Sequence, residues 1–194
     1  MTVRFFLSFF LLSSLSYLFC SNGVASSTGT LTVKFGQTTE DRFKQTHPNA
    51  VNIGFNNLLK GNIYQENPNT HKDVRKDIVF EELENVLVLF DQSKNLLALQ
   101  LQFKGNTFGI LGSGLAKKYS TIKSKETLIG SKYLEMYNEG VSIYLIKPSI
   151  FSDTFLLYIR SEDKKKILKH APSDLLEDGG RFLDFIAEKV FSPQ

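Results

Sequence analysis

The sequence predicts an α+β fold: an antiparallel β-sheet with short helices packed on one face and an amphipathic helix at the C-terminal end. Three observations carry this. Leu97, Leu99, Leu101 and Phe103 alternate with Ala98, Gln100 and Gln102, the period of two that marks a half-buried strand. The apolar run 86–90 precedes it, and Asp91-Gln92-Ser93-Lys94-Asn95 between them is turn chemistry, so the pair reads as a hairpin. Finally, Phe182, Leu183, Ile186 and Val190 recur at helical spacing within 174–191, which gives a helix one apolar stripe to dock on the body.

The first residues stand apart from this fold. Arg4 precedes an apolar run over 5–19, and Gly23-Val24-Ala25 or Val24-Ala25-Ser26 then supplies small residues for a signal peptidase. Residues 1–25 therefore read as a secretory signal peptide cleaved near Ala25. The apolar run is shorter than the roughly 20 residues of a spanning helix, and no later stretch approaches that length, so no transmembrane segment is expected in the mature chain. Lipidation at Cys20 is the lesser alternative, because a lipoprotein signal wants a small residue where Phe19 stands and leucine where Tyr17 stands. Cys20 is the single cysteine of the chain. Cleavage near Ala25 leaves residues 26–194 without disulfides and without an Asn-x-Ser/Thr sequon, as suits a bacterial protein that is periplasmic or secreted. The formal net charge is +3, and losing Arg4 with the leader brings it nearer neutral. Nothing in that balance calls for nucleic acid. The length that remains suits one domain with its own core.

The elements follow in order. Residues 30–35 alternate and read as a strand. Thr38 is a candidate N-cap for a short helix whose first turn carries Glu40 and Asp41, and His47-Pro48 ends it. Residues 50–55 and 61–65 read as paired strands around Asn56-Asn57. Residues 66–75 are the most loop-like part, and 78–83 adds a short element before the hairpin. After Lys104-Gly105-Asn106, the residues Phe108, Leu111, Leu115 and Tyr119 share one helical face, interrupted by Gly109, Gly112 and Gly114. Each glycine weakens a helix by about 1 kcal/mol relative to alanine, so either the helix starts late or the glycines allow close approach to the sheet. Residues 132–137, 141–147 and 154–160 form a meander, 164–170 a short basic helix, and Gly179-Gly180 a break before the last helix. The order is compatible with two tandem helix-then-strands units, 30–103 and 104–194, although no residue-level identity links them.

Catalytic patterns are weak. Gly109, Gly112 and Gly114 do not follow the G-x-G-x-x-G order of a phosphate loop, and Ser113 lacks the G-x-S-x-G context of a nucleophile. His47, His71 and His170 are not spaced as zinc ligands and read as surface residues, so neither metal nor cofactor is expected. The acids Glu81, Glu82 and Glu84 flank a strand, and Asp174, Glu177 and Asp178 fall at a helix start, where they favour its dipole. Lys164, Lys165, Lys166 and Lys169 form the one basic run; it reads as a solvated helix face, with contact to anionic lipid heads or wall polymers as the minor alternative. The tyrosines are more suggestive. Tyr133 beside Tyr144, with Tyr158 in matching phase on the next strand, would form a row on an outer sheet face and a protein-binding surface, unless the terminal helix covers it.

The segment Phe35-Gly36-Gln37-Thr38-Thr39-Glu40, followed by Phe43 and later strands, resembles the small exported proteins of the SmpA/OmlA outer-membrane type and the β-lactamase-inhibitor-protein-like fold. The resemblance implies helices on an antiparallel sheet and a binding, assembly or inhibitor module. The expectation is thus an exported, non-enzymatic module that binds another envelope or secreted protein through a sheet face or loop. The alternatives are an envelope hydrolase with Glu81 and Glu84 lining a cleft, or a carrier of a lipid or other apolar ligand, which the 17 phenylalanines would permit.

Overall fold

A computed structural model describes residues 33–67, 82–128, 130–172, 175 and 178–193. The chain runs through α1 (Glu40–Thr46), β1 (Val51–Asn56), β2 (Gly61–Glu66), β3 (Leu83–Phe90) and β4 (Leu96–Phe103). It continues through α2 (Phe108–Ala116), β5 (Ser120–Glu126), β6 (Lys132–Asn138), β7 (Val141–Lys147) and β8 (Thr154–Arg160). Then follow α3 (Ser161–Ile167), a 3₁₀ turn over Leu168–His170, and α4 (Gly179–Lys189). Residues 1–25, read from the sequence as a signal peptide, lie outside the described residues with Cys20 and Ala25, as do Glu81, His71 and most of the segment 66–75.

All eight strands form one open antiparallel sheet in the order β1-β2-β3-β4-β8-β7-β6-β5. The order reads the same from either edge. A helix followed by a four-strand meander occurs twice, and the two final strands join the halves antiparallel, from Ala98 opposite Ile159 to Phe103 opposite Thr154. A two-fold axis normal to the sheet, between β4 and β8, would produce this arrangement. The connections differ: Glu139 and Gly140, both at positive φ, close a two-residue turn between β6 and β7, whereas residues 67–82 separate β2 from β3.

Local chemistry fixes most boundaries. Thr39, one residue beyond the expected Thr38, caps α1 by accepting from the Arg42 N–H, while Thr38 Oγ1 accepts from the Lys34 N–H at 2.7 Å. Residues 33–35 are not a strand. Gly36, at φ +75°, turns the chain there, and the N–H groups of Gln37 and Thr38 both donate to the Lys34 carbonyl. Gly179 and Gly180 open α4 instead of breaking it, because Asp178 Oδ1 accepts from the N–H groups of Gly180 and Arg181. In α2 only Gly112 meets the sheet closely, where an added Cβ would lie 3.5 Å from Leu145.

The fold class is as the sequence predicts, but the helices divide between both faces. Phe43 of α1 and Leu111 and Leu115 of α2 share one core with Val86, Val88, Leu99, Leu101, Ile143 and Tyr158. Ile167 of α3 and Phe182, Leu183 and Ile186 of α4 share the other with Ile63, Leu89, Tyr133, Tyr144 and Leu157. Every residue of β7 is buried in consequence. Among the described residues, no helix is long and apolar enough to cross a membrane.

Candidate functional site

The three tyrosines do not form one row. Glu135, not Tyr133, lies opposite Tyr144, and Tyr158 pairs with Ile143, which places Tyr158 on the other face. All three are buried. Tyr144 and Tyr133 pack under Phe182 of α4, with ring centroids 4.9 and 6.1 Å from it, so the terminal helix covers them. Lys164 is drawn into the same cluster. Its Nζ donates to Glu135 Oε1 at 2.6 Å and lies 5.3 Å from the centroid of the Tyr144 ring, while the Tyr133 hydroxyl donates to Glu135 Oε2. Lys165, Lys166 and Lys169 remain exposed. Glu84 lies 3.7 Å from Lys104. His47, expected at the surface, is buried beside Phe43, with Nδ1 2.8 Å from Glu66 Oε2.

The side chains that stand out lie instead on two turns at one end of the second half. Lys147 ends β7 and is 2% exposed. A buried ammonium is costly unless its donors are used. Here Nζ donates to the carbonyls of Ser149, Ile150 and Ser152 at 2.8, 2.9 and 2.9 Å, so the loop after β7 is wrapped around it. The Ser149 and Ser152 hydroxyls meet at 2.7 Å across the loop. Its far end is tied to the β4–α2 connection: Asp153 accepts from the Gly105 N–H and from Gln102 Nε2, both at 2.9 Å. Those bonds, the backbone N–H first, hold the Asp153 carboxyl below the usual range.

The adjacent β5–β6 turn packs against this loop. Gly130, at φ +77°, lies so close that a Cβ would fall 2.0 Å from Ile150 Cγ2. The Thr127 N–H donates to the Ser131 carbonyl and the Gly130 N–H to that of Thr127, which fixes the turn. From these two braced turns, Phe151 is 92% exposed, Ile150 57%, and Leu128 entirely. Apolar side chains held in place at a surface bind at a lower entropic cost than the same residues on a loose loop. The sequence signal for this tip is an Ile-Phe pair inside a loop bounded by Pro148 and Asp153.

Among the described residues, no three His, Cys, Asp or Glu side chains converge as a metal-holding group. Comparison of the chain with protein-family models, with curated proteins and with solved structures returned no match.

Proposed function

We propose that the chain is an exported, non-enzymatic binding or assembly module, and that it engages another envelope or secreted protein through Leu128, Ile150 and Phe151. The observation that carries this reading is the loop closed around Lys147, which presents Phe151 outward on a braced frame. Burial of one phenylalanine side chain is worth about 1.5–3 kcal/mol, so three adjacent apolar residues supply the core of a modest interface. The likeness of residues 35–40 to the SmpA/OmlA type points to the same class of role, and the leader over 1–25 to the compartment.

The test is site-specific crosslinking in intact cells with a photoreactive residue at position 151, and with one at exposed Lys165 as control. A discrete partner should be captured from position 151, and Leu128→Asp should abolish its capture without changing the far-UV circular dichroism. Equal capture from both positions, or capture indifferent to Leu128→Asp, overturns the reading.

A further inference from the structure

At the opposite end of the sheet, a cleft of about 210 Å³ is lined by residues of the β1–β2 turn, the β3–β4 turn and the start of α1. In the second half the corresponding space is closed by Ile150 on Gly130. The first half keeps it open, and charged residues line it. Glu40 is 2% exposed, yet it contributes to the cleft wall. Three donors converge on its Oε1: Tyr64 OH at 2.6 Å, Lys44 Nζ at 2.9 Å and Asn62 Nδ2 at 3.0 Å. Among the described residues, Oε2 carries no hydrogen bond.

The other lining charges sort into satisfied and unsatisfied. Asp91 is taken up by Arg160 Nη2 at 2.7 Å and by the Asn95 N–H at 2.9 Å, and Lys94 lies 3.5 Å from Asp41. Lys60 has no ionic partner among the described residues. Lys60 and Lys94 also both hold left-handed backbone, at φ 56° and 63°, where glycine or asparagine is usual. Strained residues of that kind cluster at binding sites. Glu40, whose charge is already paired with Lys44 through Oε1, and Lys60, which has no ionic partner among the described residues, thus line the same cleft, with the Phe55 ring as an apolar wall. The volume is below that of drug-sized pockets and suits a compact molecule.

We propose that this cleft binds a small zwitterion of the α-amino-acid class, its ammonium donating to Glu40 Oε2, its carboxylate meeting Lys60 Nζ, and an apolar side chain lying on Phe55. This is independent of the Phe151 tip. Glu40 remains ionised for the role: burial acts to raise its pKa, but the bonds from Tyr64, Lys44 and Asn62 outweigh that and hold it low.

The experiment is a ¹H–¹⁵N NMR titration of the protein with leucine, N-acetyl-leucine and leucinamide. Leucine should give saturable shifts at the amides of Phe55, Gly61, Asn62 and Lys94. N-acetyl-leucine, which lacks the ammonium, should bind at least about tenfold more weakly, the loss expected for one charge-assisted contact. Lys60→Ala should weaken leucine by about tenfold while leaving leucinamide unchanged. Because Glu40→Gln also disturbs the bonds from Tyr64, Lys44 and Asn62, the acetylated ligand tests that contact without altering the protein. Absence of saturable shifts up to about 20 mM leucine, far above a millimolar Kd, overturns the proposal. So does N-acetyl-leucine binding as tightly as leucine.

Discussion

Lys147 and Tyr158 are both polar groups taken into the core, and their surroundings give opposite expectations for substitution. Lys147 uses all three of its donors on carbonyls of one loop. Lys147→Met should therefore lower stability by about 2–3 kcal/mol, the range for hydrogen bonds to a charged group, and speed amide exchange at residues 149–153. Urea unfolding and hydrogen exchange read the two effects. The Tyr158 hydroxyl is buried without a hydrogen-bond partner among the described residues, and burial pushes its pKa up. Tyr158→Phe should then be neutral or stabilising, within about 0.5 kcal/mol, by thermal unfolding. Glu40 and Asp153 share a pH signature, because both folded-state pKa values lie below their ordinary 4.5 and 3.8. The stability they contribute is complete above those ordinary values and is lost as pH falls through the folded values. Tm should drop as pH falls below about 4, and Asp153→Asn should flatten part of that slope.

At the scale of the element, Gly61 opens β2 against the Phe90 carbonyl, where a Cβ would fall 1.5 Å from the oxygen. Gly61→Ala must displace backbone and should cost about 3 kcal/mol or more in urea unfolding. The β3–β4 hairpin was legible in the sequence because its apolar alternation and polar turn agree with each other, and β6, β7, β8 and the stripe of α4 were legible for the same kind of reason. β5 was not. Its sequence, Ser-Thr-Ile-Lys-Ser-Lys-Glu, has no apolar face, since it is an edge strand with a bulge at exposed Ile122 that blunts pairing with other chains. The two-sided burial of the sheet had a signal in Leu145-Ile146 and in the unbroken run Phe155 to Ile159, which are apolar on both faces. The phase of Tyr158 had none, because the six-residue loop between β7 and β8 leaves the register open to a one-residue slip that exchanges faces. For the candidate site, Phe151 was readable only as an apolar residue in a loop. The Lys147 contacts that brace it depend on how the loop folds back on its own strand.

For the molecule as a whole, the halves share one sheet and two cores that cross their boundary: Phe182 of α4 packs with Tyr144, while Asn56 of β1 donates to the carbonyls of Lys189 and Val190 at the other end of α4. Neither half can open without exposing the other. Urea transitions followed by far-UV circular dichroism and by tyrosine fluorescence should coincide. Two separated transitions would mean that each half holds its own stability.

The β4–β8 seam also bears on the unfolding rate more than on the folding rate. Its partners, such as Leu99 and Tyr158, are far apart along the chain, whereas the β6–β7 pair is closed by two residues and β3–β4 by five. Loop-closure entropy favours the near pairs, so the hairpins form the nucleus and the seam zips after the rate-limiting barrier. Trimming Leu156, which lies on β8 opposite Leu101, to alanine should therefore accelerate unfolding while leaving the refolding arm of a chevron plot almost unmoved, and a matched truncation of Met136 should do the reverse.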